Sequence, residues 1–201
     1  MTDREVPDMR QEKIHNQDAA LAQDLRAGHP DAARDLFDRF GAKLLAFIAA
    51  RFPTDIDFAQ DLVIQTLADA TRKIRWYNPR KAPLVVWLYG VARGQIRAEL
   101  RRRGRRKSVP PHALSSIEEL EGTPDVHDLA EDVAERVSAQ RQVALLSSIL
   151  SELELDILVL RSVDQLSARE IGLIVGRSER AVHSILHRAR TKARERLEQD
   201  A

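Results

Sequence analysis

Residues Ser167–Arg190 read SAREIGLIVGRSERAVHSILHRAR. Ser167 with Glu170 three places on is a capping box, which marks the start of a helix. Ile171, Ile174 and Val175 then share one helical face, and Gly176 stops it. Ser178 can cap a second helix after a tight turn. Val182, Ile185, Leu186 and Ala189 follow at i, i+3, i+4 and i+7, which is a buried face. The other face carries Arg180, His183, Ser184, His187 and Arg188, with Arg177 and Ser178 at its entrance. Gly172, just inside the first helix, would let the two helices approach closely. Two short helices, a glycine turn and a basic second helix describe a helix-turn-helix able to enter a major groove. Periodicity alone also allows a plain helical hairpin with a solvated basic face. The positive charge from Arg177 to Arg196 favours the nucleic-acid reading, and Glu179, Glu195 and Glu198 sit at the ends of that helix.

His183 and His187 lie four apart, as a metal pair would. The metalloprotease pattern needs Glu between them at position 184, where this chain has Ser. There is no cysteine, and His15, His29, His112 and His127 fall in segments read as tail or loop. No metal, cofactor or catalytic group is therefore expected. No nucleophile, base and orienting acid come together in a recognisable arrangement, so an enzyme such as a small recombinase is disfavoured.

Upstream, the apolar spacing stays helical. Ala33, Leu36, Phe37, Phe40, Leu44, Phe47 and Ile48 predict a long amphipathic helix ending near Phe52-Pro53. Val63, Leu67, Ala70 and Ile74 predict the next, with Leu62 and Ile64 outside that stripe on a second apolar face. Trp76 to Pro83 reads as a loop, in which Trp76 and Tyr77 either stack on unpaired bases or cover the end of the bundle. From Pro83, Leu88, Ala92, Ile96 and Leu100 predict a third long helix, with Trp87 on its core side. Arg93, Arg97 and Arg101 form a cationic ridge along it, suited to phosphates, which Arg105 extends if the helix survives Gly104.

The whole-chain balance, 32 basic against 31 acidic residues, conceals a segregation of charge. Arg93 to Lys107 sets eight basic residues against a single acid, Glu99, whereas Glu118 to Glu135 holds eight acids and no Lys or Arg. A polyanion-binding surface next to a segment that avoids it is the simplest reading. The expected architecture is all-α: a mobile tail over 1–17, a helical bundle over 18–107, an extended acidic linker over 108–135, and a helix-turn-helix domain over 136–201. Charges at Asp3, Arg4 and Glu5 argue against a signal peptide, and no apolar run approaches the ~20 residues of a membrane span. A chain of this kind without cysteine is expected in the reducing cytoplasm, with no membrane partner.

Two separated stretches resemble one family. Ala59–Leu67, AQDLVIQTL, resembles the A-E-D-L-V-Q-E-T-F signature of region 2 in sigma-70 proteins, and Trp87–Arg93, WLYGVAR, resembles its W-L-x-x-I-A-R continuation. Ser167 to Leu197 is similar to the helix-turn-helix of region 4. Together they identify the chain as resembling the extracytoplasmic-function (ECF, group IV) sigma factors. The resemblance implies core RNA polymerase and promoter DNA as partners. It places the first domain on the clamp helices of the largest subunit through Asp61, Leu62, Ile64 and Gln65. Asn78, Arg80, Lys81, Arg93, Arg97 and Arg101 would lie near an opened minus-10 element. Region 4 would bind the flap of the second subunit and read minus-35 duplex through Arg177, Ser178, Arg180, His183, Ser184, His187 and Arg188. An anti-sigma factor is a further partner known in this family. Ile64, Gln65, Gly94 and Glu154 depart from the family's usual Gln, Glu, Asn and Pro. The competing function is a helix-turn-helix regulator that acts without core polymerase, for which no ligand pocket, phospho-acceptor domain or dimer seam is legible.

Overall fold

In the computed structural model, residues 9–107 and 142–199 are described. The expected acidic linker, and the first eight residues of the expected tail, lie outside them. Helix α1 spans Met9–Ala27, α2 Ala32–Ala49, α3 Ile56–Lys73 and α4 Leu84–Lys107, with a single 3-10 turn, Ile74–Trp76, after α3. Helix α5 covers residues 142–149 in its described part. Then follow α6 (Glu152–Val163), α7 (Ala168–Val175) and α8 (Glu179–Gln199). The described residues contain no strand. Helix α1 begins at Met9, well ahead of the expected start at Asp18, so residues 9–17 are helical rather than tail.

The expected apolar stripes form most of the core, but Ala33 and Phe37 of α2, expected in the stripe, face outward, Phe37 being 50% exposed. Leu36, Phe40, Leu44, Phe47 and Ile48 of α2 are buried against Val63, Leu67 and Ala70 of α3 and Leu88, Ala92 and Ile96 of α4. Helix α1 closes this bundle with Leu21, Ala22 and Leu25. Its end is a Schellman turn: Gly28 takes φ +73° and the amides of Gly28 and His29 reach back to the carbonyls of Leu25 and Asp24. Asp18 does a second job across the bundle. Buried in α1, it accepts the Leu84 amide at the head of α4 (2.9 Å) and pairs with Arg39 (2.7 Å). A carboxylate at the positive end of a helix satisfies an otherwise orphaned donor and favours the helix dipole.

Leu62 corrects the expectation for α3. It is buried with Ala59, Val63 and Thr66, so the inward stripe is broader than the four-residue spacing of Val63 and Leu67 suggested. The outward apolar side chain is Ile64, which is 59% exposed.

The C-terminal domain repeats one device twice. Ser151 caps α6 and Ser167 caps α7, each in a reciprocal capping box with the glutamate three residues on, Glu154 and Glu170. Glu154 also receives Lys192 of α8 through both carboxylate oxygens, at 2.8 and 3.0 Å. Burial opposes its charge, but the Lys192 ammonium and the Ser151 donors outweigh that and hold its pKa down at about 2. Glu154 thus ties the start of α6 to the long last helix.

The two domains are not separate bodies. Helix α6 packs on α2 and α7 on α4, and Ile157, Leu160, Leu166, Ile171, Ile174 and Val175 join the same hydrophobic cluster as the N-terminal bundle.

Candidate nucleic-acid interface

The turn between α7 and α8 is set by two glycines. Gly176 adopts φ +70°, a left-handed cap natural to glycine. The amides of Gly176 and Arg177 both donate to the Gly172 carbonyl, at 2.9 and 3.0 Å. A Cβ on Gly172 would meet the Arg177 backbone oxygen at 2.6 Å, so this position needs hydrogen where other residues carry carbon. The Ala181 amide donates to the Ser178 hydroxyl at 3.3 Å, capping α8. Val182, Ile185, Leu186 and Ala189 are buried. Arg177, Ser178, Arg180, His183, Ser184, His187 and Arg188 are all exposed, so the expected reading face is presented whole. Glu179, on the same helix, lies 3.9 Å from His183. Among the described residues, no group of three or more His, Cys, Asp or Glu is placed to hold a metal ion.

Helix α4 treats its arginines unequally. It runs through Gly104 to Lys107, and Arg97, Arg101 and Arg105 are exposed. Arg102 and Arg103 instead converge on the buried carboxylate of Glu99 at 2.6 and 2.8 Å. Those two guanidinium groups prevail over burial and lower the Glu99 pKa. Arg103 also reaches Asp55 (3.0 Å) and lies over the rings of Phe58 and Phe52 at 4.1 and 4.8 Å. Arg93, expected on the open ridge, is buried at the domain seam: its Nε donates to Asp156 of α6 at 2.8 Å.

The loop before α4 resolves the choice between stacking and core. Tyr77 is inside, its hydroxyl donating to the Ala82 carbonyl (3.1 Å) and its ring 5.5 Å from that of Trp87. Burial pushes its pKa up to about 12. Trp87 is half-buried against the core, whereas Trp76 is 63% exposed with the Arg75 guanidinium over its ring. Asn78, Arg80 and Lys81 are exposed beside it, and the Asn78 side chain accepts the Arg80 amide in a local turn. On α3, Asp61, Ile64 and Gln65 are exposed together and Leu62 is not.

Sequence reasoning did not find Asp156, Asp164 or Arg51, which join the two domains. Their types carry no periodic signal. The Ser151–Glu154 capping box was legible by the same pattern as Ser167–Glu170.

A helix-turn-helix with an intact polar face, joined to a helical bundle with a partly open cationic helix, defines a two-part DNA-binding protein. Comparison with known proteins identifies the class. Residues 36–106 match the family model of Sigma-70 region 2, and residues 140–192 that of Sigma-70, region 4. The chain belongs to the sigma-70 family. It is 26% identical over 187 residues to the ECF RNA polymerase sigma factor SigD of Mycobacterium tuberculosis, covering 90% of this chain and 83% of SigD. It is also 26% identical over 177 residues to the ECF RNA polymerase sigma factor BldN of Streptomyces coelicolor, covering 87% of this chain and 64% of BldN. Two solved structures share the fold. One is CnrH in complex with the cytosolic domain of CnrY (TM-score 0.63, 23% identity, 92% of this chain and 99% of that one). The other is the sigma factor RpoE in complex with the anti-sigma factor NepR from Bartonella quintana (TM-score 0.57, 23% identity, 84% and 99%).

Proposed function

We propose that this chain is the promoter-recognition subunit of a bacterial RNA polymerase, reading minus-35 duplex through α8 and opening the minus-10 element through α4 and the loop before it. The observation that carries the reading is the face of α8. Arg180, His183, Ser184, His187 and Arg188 stand exposed over a fully buried apolar stripe, behind a turn whose glycines fix the entry angle. Such a face can meet base edges in a major groove, and it is too small to hold a promoter tightly alone. Core polymerase supplies the missing fixed geometry, contacting the exposed Asp61, Ile64 and Gln65 of α3. Near the minus-10 element, Trp76 offers a stacking plane, with Asn78, Arg80 and Lys81 beside it and Arg97 and Arg101 for phosphates. The partners are thus core polymerase, promoter DNA and, as for the RpoE of Bartonella quintana, an anti-sigma protein. The setting is the cytoplasm, and no helix among the described residues is long and apolar enough to cross a membrane.

The test is transcription by holoenzymes carrying His183→Ala or Arg188→Ala over a randomised minus-35 library. A base-edge contact contributes about 1–3 kcal/mol of discrimination, so each variant should shift which sequences are used. An even loss across all sequences would make these side chains phosphate clamps and overturn base readout. Promoter-specific binding without core polymerase would favour a free-standing regulator.

A further inference from the structure

The seam between the domains carries two buried carboxylates from region 4, each held by two side chains of region 2. Asp156 of α6 accepts Arg51 at 2.6 Å and Arg93 at 2.8 Å, and all three side chains are buried. Arg51 continues to the Glu152 carbonyl and Arg93 to the Val175 carbonyl. Asp164, in the loop after α6, pairs with Lys43 at 2.7 Å and accepts the hydroxyl of Tyr89, whose ring packs edge-on against Phe47. Four donors on α2, α4 and the turn after α2 thus converge on two acids, one in α6 and one at its C-terminal end. The seam also buries apolar side chains such as Ile157, Leu160 and Ile171, but the cover is not continuous along its whole length. A groove of about 400 Å³ runs along the seam, lined by Ala46, Ala49 and Ile56 on one side and Leu146, Leu158 and Val163 on the other.

We propose that Asp156 and Asp164 form a latch that holds the free chain closed, and that the closed form withholds Arg93 from DNA. Buried ion pairs are held by geometry more than by net stability, because each charge regains water when the seam parts. An open groove lowers the apolar gain that would otherwise make the seam permanent. Arg93 cannot serve Asp156 and a phosphate together, so DNA affinity is reduced by the fraction of molecules that are closed. The latch stands apart from the promoter reading, whereas the competition for Arg93 rests on it, and the experiment separates them.

The chain has no cysteine, so Ala68→Cys and Thr191→Cys, at exposed positions on α3 and α8, allow clean spin labelling of the full chain. Pulsed-dipolar distances should show one narrow population. Asp156→Asn with Asp164→Asn should broaden it and lengthen it, and should tighten binding to promoter-length duplex by about tenfold at low salt. Neither Asp156 nor Asp164 is itself assigned to DNA or polymerase. An unchanged distance distribution in a helical double variant would overturn the latch. Longer distances with unchanged affinity for duplex would overturn the competition for Arg93. Lys43→Gln, on a half-exposed side chain, should lengthen the distances in the same direction and to a lesser degree. It decides the matter should the double variant misfold, and no change there counts against the latch.

Discussion

Helices α4 and α8 are both long, basic and rich in arginine, yet they use that charge in opposite ways. On α8 and in the turn before it, Arg177, Arg180 and Arg188 stand exposed beside a buried apolar stripe, and among the described residues no acid of another element pairs with them. On α4, Arg93 is buried against Asp156, Arg102 and Arg103 are drawn to Glu99, and the outward cations are Arg97, Arg101 and Arg105. The difference follows from where acids lie. Glu99 sits within a turn of its partners on α4 itself, and Asp156 is brought to Arg93 by the packing of α7 on α4 and α6 on α2. A basic helix is thus a DNA-binding surface only at the positions its own fold leaves unneutralised.

Substitutions along the two helices can break this contrast. The largest effect is expected from Arg93→Ala, which leaves Asp156 buried with one partner. Breaking a buried pair from one side costs about 3 kcal/mol, so the two-domain unit should unfold at distinctly lower urea. Loss no greater than for Arg97→Ala would erase the distinction between buried and open cations on α4.

Next comes the turn that presents α8. Gly172→Ala should destabilise the C-terminal domain by about 2 kcal/mol, because the new Cβ meets a backbone oxygen that cannot move aside alone. Gly94→Ala is the matched control on α4. Nothing lies within 4 Å of its Cβ, so the helix should gain up to about 1 kcal/mol. Thermal melts of both variants should move in opposite directions.

Glu154→Gln should cost about 1 kcal/mol by weakening the cap of α6 and its tie to Lys192 on α8. The native carboxylate is held below its ordinary value, so its contribution is complete above about pH 4.5. It fades as pH falls toward about 2. The wild type should therefore lose stability relative to Glu154→Gln across that interval, and parallel curves would show that the Lys192 contact contributes nothing.

The smallest change in stability, within about 0.5 kcal/mol, is expected for Arg97→Ala with Arg101→Ala, since both are exposed. Their effect belongs to binding: the salt dependence of promoter binding by holoenzyme should flatten by roughly two phosphate contacts. An unchanged slope would remove both from the DNA surface.

The helix-turn-helix was legible nearly residue by residue, because its signals are local. Ser167 and Glu170 cap within one turn, Gly176 ends the helix by its own backbone freedom, and Val182, Ile185, Leu186 and Ala189 name their face by spacing. The polar face of α8 followed from the same spacing. On α3 the stripe was right as far as it went, but Leu62 lies one step around the helix, and only the breadth of the packed bundle decides that it is buried. The loop before α4 left Trp76 and Tyr77 equivalent in sequence. A hydrogen bond to Ala82 and the ring of Trp87 place Tyr77 inside, while Trp76 faces out.

Composition, periodicity and capping patterns by themselves determined the all-helical class, the two domains and the polar face of α8, since each depends on neighbours within a turn or two. The family followed from motifs of the same short range. Tertiary structure alone decided which cations remain available. Arg93 and Asp156 are 63 residues apart, and Tyr89 and Asp164 are 75 apart. No local rule links such pairs, because a charge is neutralised by whatever acid the packing delivers to it.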